Sequence, residues 1–200
     1  ALNFANNNSL SAITTLPASI SGGAMTLLST QTASSSATIS FTSGIDDTYD
    51  EYVFRFYDIH PATDQAEFTF NMSIDSGSNY NITKTTTIFR AKHQENDSEA
   101  VLEYRTGEDL AQSTAFQNLM FNVGNANDES GSGTLQLFNP SSSVFVKHFT
   151  CRIAVSQSAD YAMDLYTAGY GNTTSAVDAI RFQMSSGNID AGDICLYGIA

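Results

Sequence analysis

The segment Glu67–Ile74, which reads EFTFNMSI, decides the fold class of this chain. Apolar side chains occupy every second position from Phe68 onward, and polar side chains occupy the positions between them. A period of two is typical of a β-strand, because successive side chains point to opposite sides of the strand. We therefore predict a half-buried strand that turns one face, Phe68, Phe70, Met72 and Ile74, toward a core.

The same alternation continues on both sides of this strand. Glu51–Asp58 (EYVFRFYD) carries its aromatic residues mainly on one parity, which predicts a second strand. Asp75–Asn79 (DSGSN) has the composition of a turn, and a β-branched run follows it. These features predict that Tyr80–Arg90 forms a hairpin with the strand at 67–74.

The rest of the chain continues as short strands separated by loops. Further strands are predicted at Ala100–Arg105, Phe116–Val123, Thr134–Phe138, Val144–Val155, Ala162–Tyr166, Val177–Met184 and Ile194–Ile199. The helix candidate is Gly107–Thr114, whose acidic residues suit a helix N-terminus. We therefore predict an all-β domain over residues 37–200, a β-sandwich and most economically a jelly roll, of about nine or ten antiparallel strands.

Residues 1–36 differ in composition, because no charged side chain precedes Asp46. Pro17 and the pair Gly22–Gly23 oppose a helix. We predict an extended arm that contains one short strand at Met25–Ser29. This arm is expected to dock onto a neighbouring subunit. A solvated terminus is the alternative. The predicted docking residues are the apolar side chains of the arm: Leu2, Phe4, Leu10, Ile13, Leu16 and Ile20.

Charge and the length of the apolar runs argue against two classes of partner. Eight basic residues against 21 acidic ones give a net charge of −13. This charge repels nucleic acid, and the basic residues are too few for a groove that follows phosphates. No apolar run reaches the roughly 18 residues of a membrane span, and no signal peptide is visible. We therefore expect neither nucleic acid nor a membrane as a partner.

Few residues suggest metal or thiol chemistry. Cys151 and Cys195 are interpreted as two buried thiols, and a bridge between them remains an alternative. Asp46, Asp47 and Asp50 are close enough in sequence for a calcium loop, although solvated turns explain them as well. The three histidines lack the spacing of a zinc site, and we predict no cofactor.

No catalytic motif is evident, so we predict that the protein is not an enzyme. The chain contains neither a GxSxG elbow nor a P-loop, and pairs among 21 acidic residues are too common to be informative. A carbohydrate-binding module is the alternative class, with Tyr166 and Tyr170 as candidate glycan contacts. A glycan-degrading enzyme is the weakest hypothesis.

Five stretches resemble structural proteins of tailed bacteriophages, especially marine ones. They are 34–64 (SSSATISFTSGIDDTYDEYVFRFYDIHPATD), 68–87 (FTFNMSIDSGSNYNITKTTT), 107–114 (GEDLAQST), 131–149 (GSGTLQLFNPSSSVFVKHF) and 169–199 (GYGNTTSAVDAIRFQMSSGNIDAGDICLYGI). The last is the most specific, because an SSGNIDAG turn leads into a terminal LYGI strand.

The resemblance implies a β-rich protein on the exterior of a virion, and it brings no catalytic residues. Such a protein is a head-decoration (cement) protein or a component of a tail fibre or appendage. Its expected partners are the major capsid protein or tail components, and further copies of itself, with a trimer favoured. We expect synthesis in the host cytoplasm and a final location on the virion surface. A fibre domain that binds host glycans is the alternative.

Overall fold

In the computed structural model, which describes residues 24–199, the chain forms twelve β-strands and no helix. The all-β prediction is therefore confirmed, with more strands than expected. The strands are β1 (Met25–Thr32), β2 (Ile39–Phe41), β3 (Glu51–Pro61), β4 (Ala66–Ser73), β5 (Lys84–Gln94), β6 (Ala100–Tyr104), β7 (Gln117–Val123), β8 (Gly131–Phe138), β9 (Lys147–Gln157), β10 (Tyr161–Gly171), β11 (Ala179–Met184) and β12 (Ile189–Ile199).

The strands form two runs, and every pairing is antiparallel. The long run has the order β1-β12-β3-β8-β9-β10-β5-β6. The short run has the order β7-β4-β11-β2. One residue pair, Val123 with Gln157, joins β7 to β9 and makes the whole a single sheet.

Aromatic rings fill the space between the two runs. Phe182 of β11 lies at the centre, with its ring centroid 5.3 Å from that of Phe54 and 5.3 Å from that of Phe56. It also stacks on Phe68 of β4 at 5.6 Å. All four rings are buried, so the predicted aromatic parities of β3 and β4 do face the core. The apolar contact between the runs is the main stabilising interaction of the fold.

The second face of β4 is also buried, which the prediction of a half-buried strand missed. Thr69, Asn71 and Ser73 are covered although they alternate with the core residues. The loops at 75–83 and 105–116 lie over this face, and the Asn71 amide donates to the carbonyl oxygens of Tyr80 and Thr114. Buried polar groups of this kind are stable only when hydrogen-bonded. A strand pattern cannot reveal cover supplied by distant loops.

The predicted hairpin between residues 67–74 and 80–90 is wrong. Strand β4 pairs with β7 and β11, whereas β5 pairs with β10 and β6. The turn itself is present, because Asp75 accepts hydrogen bonds from Ser73 and from the backbone N–H of Asn79. These bonds hold the pKa of the Asp75 carboxyl at about 2. The chain leaves this turn by crossing to the long run instead of folding back on β4.

The predicted helix at Gly107–Thr114 is also wrong. Residues 106–108 form a turn, and the segment that follows bonds to β5. The Leu110 backbone N–H donates to Thr86 Oγ1, and the Leu110 carbonyl oxygen accepts from the Thr86 N–H. The side-chain amide of Gln117 donates to the Glu108 carbonyl oxygen. Tertiary hydrogen bonds therefore satisfy the backbone groups that a helix would have paired locally.

The N-terminal part of the described chain belongs to the sheet. A strand was predicted at Met25–Ser29, and β1 extends it to Thr32 and pairs with β12. Strand β1 thus lies within the span predicted as an arm. The six predicted docking residues (Leu2, Phe4, Leu10, Ile13, Leu16 and Ile20) lie outside the described residues, so their role stays a prediction.

Gly133 allows β8 and β9 to approach, and we expect Gly133→Ala to destabilise the protein by about 1–3 kcal/mol. A Cβ at this position would clash with the Arg152 carbonyl oxygen and lie 2.7 Å from the Ile153 Cα. Both are backbone atoms of the paired strand, so relief requires the strands to separate. Gly107→Ala is the control, because no atom lies within 4 Å of its Cβ position. Equal denaturation midpoints for the two variants would contradict the prediction.

Candidate functional site

The outer face of the long run carries a shallow groove between β5, β10, β9 and β8. Small outward side chains at Ala91, Ala154 and Ala162 leave a space of about 630 Å³. The guanidinium of Arg152 borders it and donates to both carboxylate oxygens of Asp164, at 3.1 and 2.8 Å. This contact holds the pKa of Asp164 below its usual value. A groove with an apolar floor and an ion pair at its side can hold a polar ligand in one orientation.

The two tyrosines predicted as glycan contacts lie on this outer face of β10, four positions apart. The ring of Tyr166 is enclosed: it stacks on Phe89 at 4.8 Å, and the Arg152 guanidinium lies 4.9 Å from its centroid. The Tyr170 ring meets His148 edge-on at 6.2 Å. A sugar that stacked on Tyr166 would have to displace Arg152 or Phe89.

Strand β6 ends the long run, and among residues 24–199 it pairs only with β5. Its outward side chains are apolar: Leu102 is 75% exposed and Tyr104 is 50% exposed. Phe89, opposite Tyr104 on β5, is also exposed. A free edge beside an exposed apolar face is a ready template for another strand.

The charges around β6 are paired with one another. Glu103 accepts from Arg90 at 2.7 Å, and Arg105 lies within 3.4 Å of the same carboxylate. Lys92 contacts Glu99 at 2.8 Å. Hydrogen bonds from Arg90 and Lys92 lower the pKa values of Glu103 and Glu99 respectively. Each of the three basic side chains named here is therefore paired with a carboxylate.

The loop between β8 and β9 displays a second apolar pair, Val144 and Phe145, each 69% exposed. The loop is held from beneath by Lys147, whose Nζ is buried and donates to the carbonyl oxygens of Ser142 and Phe145. Burial lowers the pKa of Lys147. The Ser142 hydroxyl in turn accepts the backbone N–H groups of Val144 and Phe145. The exposed pair is therefore held on an ordered support.

The carboxylates of Asp46, Asp47 and Asp50 are not gathered around a common point in the described residues. Within residues 24–199, no group of three His, Cys, Asp or Glu side chains is placed to hold an ion. The Asp46 carboxylate instead accepts from the Thr48 backbone N–H and the Tyr52 hydroxyl, both at 2.9 Å. These bonds lower the pKa of Asp46 and fix the loop before β3.

The two cysteines are free thiols, so the bridge left open by the sequence does not form. Cys151 is buried, as predicted, and burial raises its thiol pKa. Cys195 is half-buried instead, with its Sγ 3.4 Å from the Thr30 hydroxyl. A neutral, buried thiol such as Cys151 is chemically inert.

Sequence reasoning did not identify the exposed apolar residues of β5, β6 and the β8–β9 loop. Phe89 is of a residue type common in cores. On β5, however, Ile88 and Arg90 face the core, and Phe89 between them faces outward. Arg90 is buried on that side beneath Glu103, with its guanidinium 5.1 Å from the Phe121 ring. No local signal separated Phe89 from the core residues, because a position in phase with Ile88 carries the charged but buried Arg90.

No protein-family model matches the chain, and no curated protein or solved structure is significantly similar to it. Within residues 24–199 there is no helix long and apolar enough to cross a bilayer.

Proposed function

We propose that this protein is a non-enzymatic structural protein on the exterior of a bacteriophage virion. It is either a head-decoration (cement) protein or a component of a tail fibre or appendage. The observation that carries the proposal is the apolar edge at β6, which pairs only with β5 within the described part of the chain, because such an edge is a liability unless a partner covers it. The five stretches that resemble virion proteins support the same assignment.

The proposed architecture is a jelly-roll β-sandwich whose layers are the long and the short run. The ring contacts of Phe182 with Phe54 and Phe56 support the layering, because they join strands of different runs. The proposed partners are the major capsid protein or tail components, and further copies of this chain, with a trimer favoured. The net charge of −13 disfavours nucleic acid as a partner.

Counting and locating the protein on purified particles tests this proposal. We expect quantitative mass spectrometry to detect it in every preparation and electron microscopy to place it on the outside. A copy number in the hundreds assigns it to the head, whereas tens of copies assign it to the tail. Complete absence from purified particles, or a location inside the shell, contradicts the proposal.

A second candidate function is recognition of host glycans by the outer groove. The bidentate Arg152–Asp164 pair favours it, because sugar hydroxyls bind well to fixed charged groups beside an apolar floor. We expect Arg152→Ala to weaken binding to purified host surface glycans by about tenfold or more. Arg181→Ala on β11 of the short run is the control and is expected to bind as the wild type does. An absence of glycan binding by the wild type removes this candidate.

A further inference from the structure

The strongest unexplained feature outside the groove is the free edge of β6. Its five residues, AVLEY, contain neither Lys nor Pro, two residue types that commonly protect an edge. Its acidic residue, Glu103, is neutralised by Arg90 and Arg105. Leu102 and Tyr104 add apolar surface beside the unpaired backbone. An edge with these properties favours an added strand with apolar side chains and no charge.

The chain itself contains a segment with that chemistry. Residues 1–23 precede the described structure and carry no charged side chain, although the whole chain has a net charge of −13. Leu2 and Phe4 are two positions apart, as are Leu102 and Tyr104. In paired strands, residues with this spacing lie on one face and can contact each other across the ladder.

The position from which this segment leaves the structure puts the β6 edge of a second copy within its reach. The segment enters the fold at β1, and β1 and β6 are opposite edges of the long run. Seven strand spacings separate them, which is roughly 34 Å across the sheet. When copies stand side by side, the β1 edge of one copy lies next to the β6 edge of the next. A segment of 23 residues reaches at most about 76 Å, which is ample for this step.

We propose that the β6 edge binds the N-terminal segment of a second copy of this chain as an added strand. This inference rests on the proposed structural function and names its partner. Each copy then donates its segment from one edge and accepts a segment at the other. Such head-to-tail contacts close into a ring when the rotation between copies allows it.

The test uses the full-length protein and measures its mass by sedimentation velocity. We expect an oligomer for the wild type, and at least a tenfold weaker association for Leu102→Lys and for the double variant Leu2→Asn/Phe4→Asn. Leu102 is 75% exposed, so its replacement leaves the core intact. Val144→Lys is the matched control, because Val144 is similarly exposed at 69% and lies in a distant loop. It is expected to assemble as the wild type does.

A mixing experiment decides whether the segment binds to its own chain or to another. Leu102→Lys retains an intact segment, and Leu2→Asn/Phe4→Asn retains an intact edge. Equimolar mixing is therefore expected to restore association between the two variants. Hydrogen exchange should also show protected amides in β6 of the wild-type oligomer and faster exchange in the arm variant.

Several outcomes overturn the inference. Oligomers that survive both sets of substitutions exclude β6 as the acceptor, and a monomeric wild type excludes a second copy as the occupant of β6. Protected β6 amides in a monomer mean that the segment binds to its own chain, which excludes the second copy. These results leave the proposed function intact if the protein is found on particles. Conversely, an oligomer assembled through β6 but absent from particles contradicts the proposed function alone.

Discussion

Phe182→Ala is expected to lower the free energy of unfolding by about 3–5 kcal/mol, a large share of the stability of a single domain. The ring is fully buried and contacts five other aromatic rings. Those rings belong to three strands drawn from both runs: Phe41 on β2, Phe54 and Phe56 on β3, and Phe68 and Phe70 on β4. Truncation therefore removes apolar contact and opens a cavity at the point where the runs meet, with little freedom for either run to collapse into it.

Phe145→Ala is the matched control for this prediction. It removes the same side chain from a position that is 69% exposed, so we expect a change within about 0.5 kcal/mol. Urea denaturation followed by circular dichroism measures both variants, and the midpoint shift at constant slope gives the change in stability. Similar midpoints for the two variants would mean that the aromatic cluster does not hold the runs together.

Lys84 is expected to make the protein more stable as the pH rises from about 7 to about 10.5. Its ammonium is fully buried, and its Nζ donates to Asn71 Oδ1 at 2.7 Å and to the Ile82 carbonyl oxygen at 2.9 Å. Burial without a carboxylate among these contacts lowers the pKa of Lys84 from 10.5 to about 7. Between these values the unfolded state binds the extra proton, so a rise in pH removes that proton from the unfolded state and favours the folded one.

Inside this window, Lys84 is expected to raise the free energy of unfolding by up to about 1.4 kcal/mol per pH unit. Below the window its effect on stability does not change with pH. The measurement compares unfolding free energies of wild type and Lys84→Met at several pH values. Other titrating groups contribute equally to both proteins, so the difference isolates Lys84. We expect the wild type to gain stability relative to Lys84→Met as the pH rises.

Arg152→Met is the control for the pH experiment. The hydrogen bond to Asp164 raises the already high pKa of Arg152, so this group stays protonated throughout the window. The variant should keep the pH dependence of the wild type. If the unfolding free energies of wild type and Lys84→Met change in parallel with pH, then Lys84 titrates alike in the folded and unfolded states.

Alternation along single strands predicted much of the core. Tyr52, Phe54 and Phe56 on β3, and Phe68 and Phe70 on β4, are all buried on the predicted faces. These predictions succeed because a strand has a period of two whatever it pairs with, and large apolar side chains avoid water. The same rule missed the burial of the polar face of β4, because loops distant in sequence cover it.

The candidate site was far less predictable than the core. Leu102 and Phe89 have residue types common in cores, and they are exposed because both lie on the outward face of the β5–β6 hairpin. Tyr166 was predicted as a glycan contact, but its two neighbours, Phe89 and Arg152, come from different strands. Which side chains meet on a sheet depends on pairing partners and register, and neither is encoded in a local pattern.

The sequence by itself determined the all-β class, the acidic and weakly charged surface, and the side chains that fill the centre. Each of these depends on composition or on a local period, which act over a few residues. The tertiary structure alone decided that β4 and β5 separate, that Lys84 is buried without a carboxylate among its contacts, and that β6 is an edge strand among residues 24–199. These features depend on long-range pairing, in which turns of similar chemistry can lead either back to the same strand or across to another run.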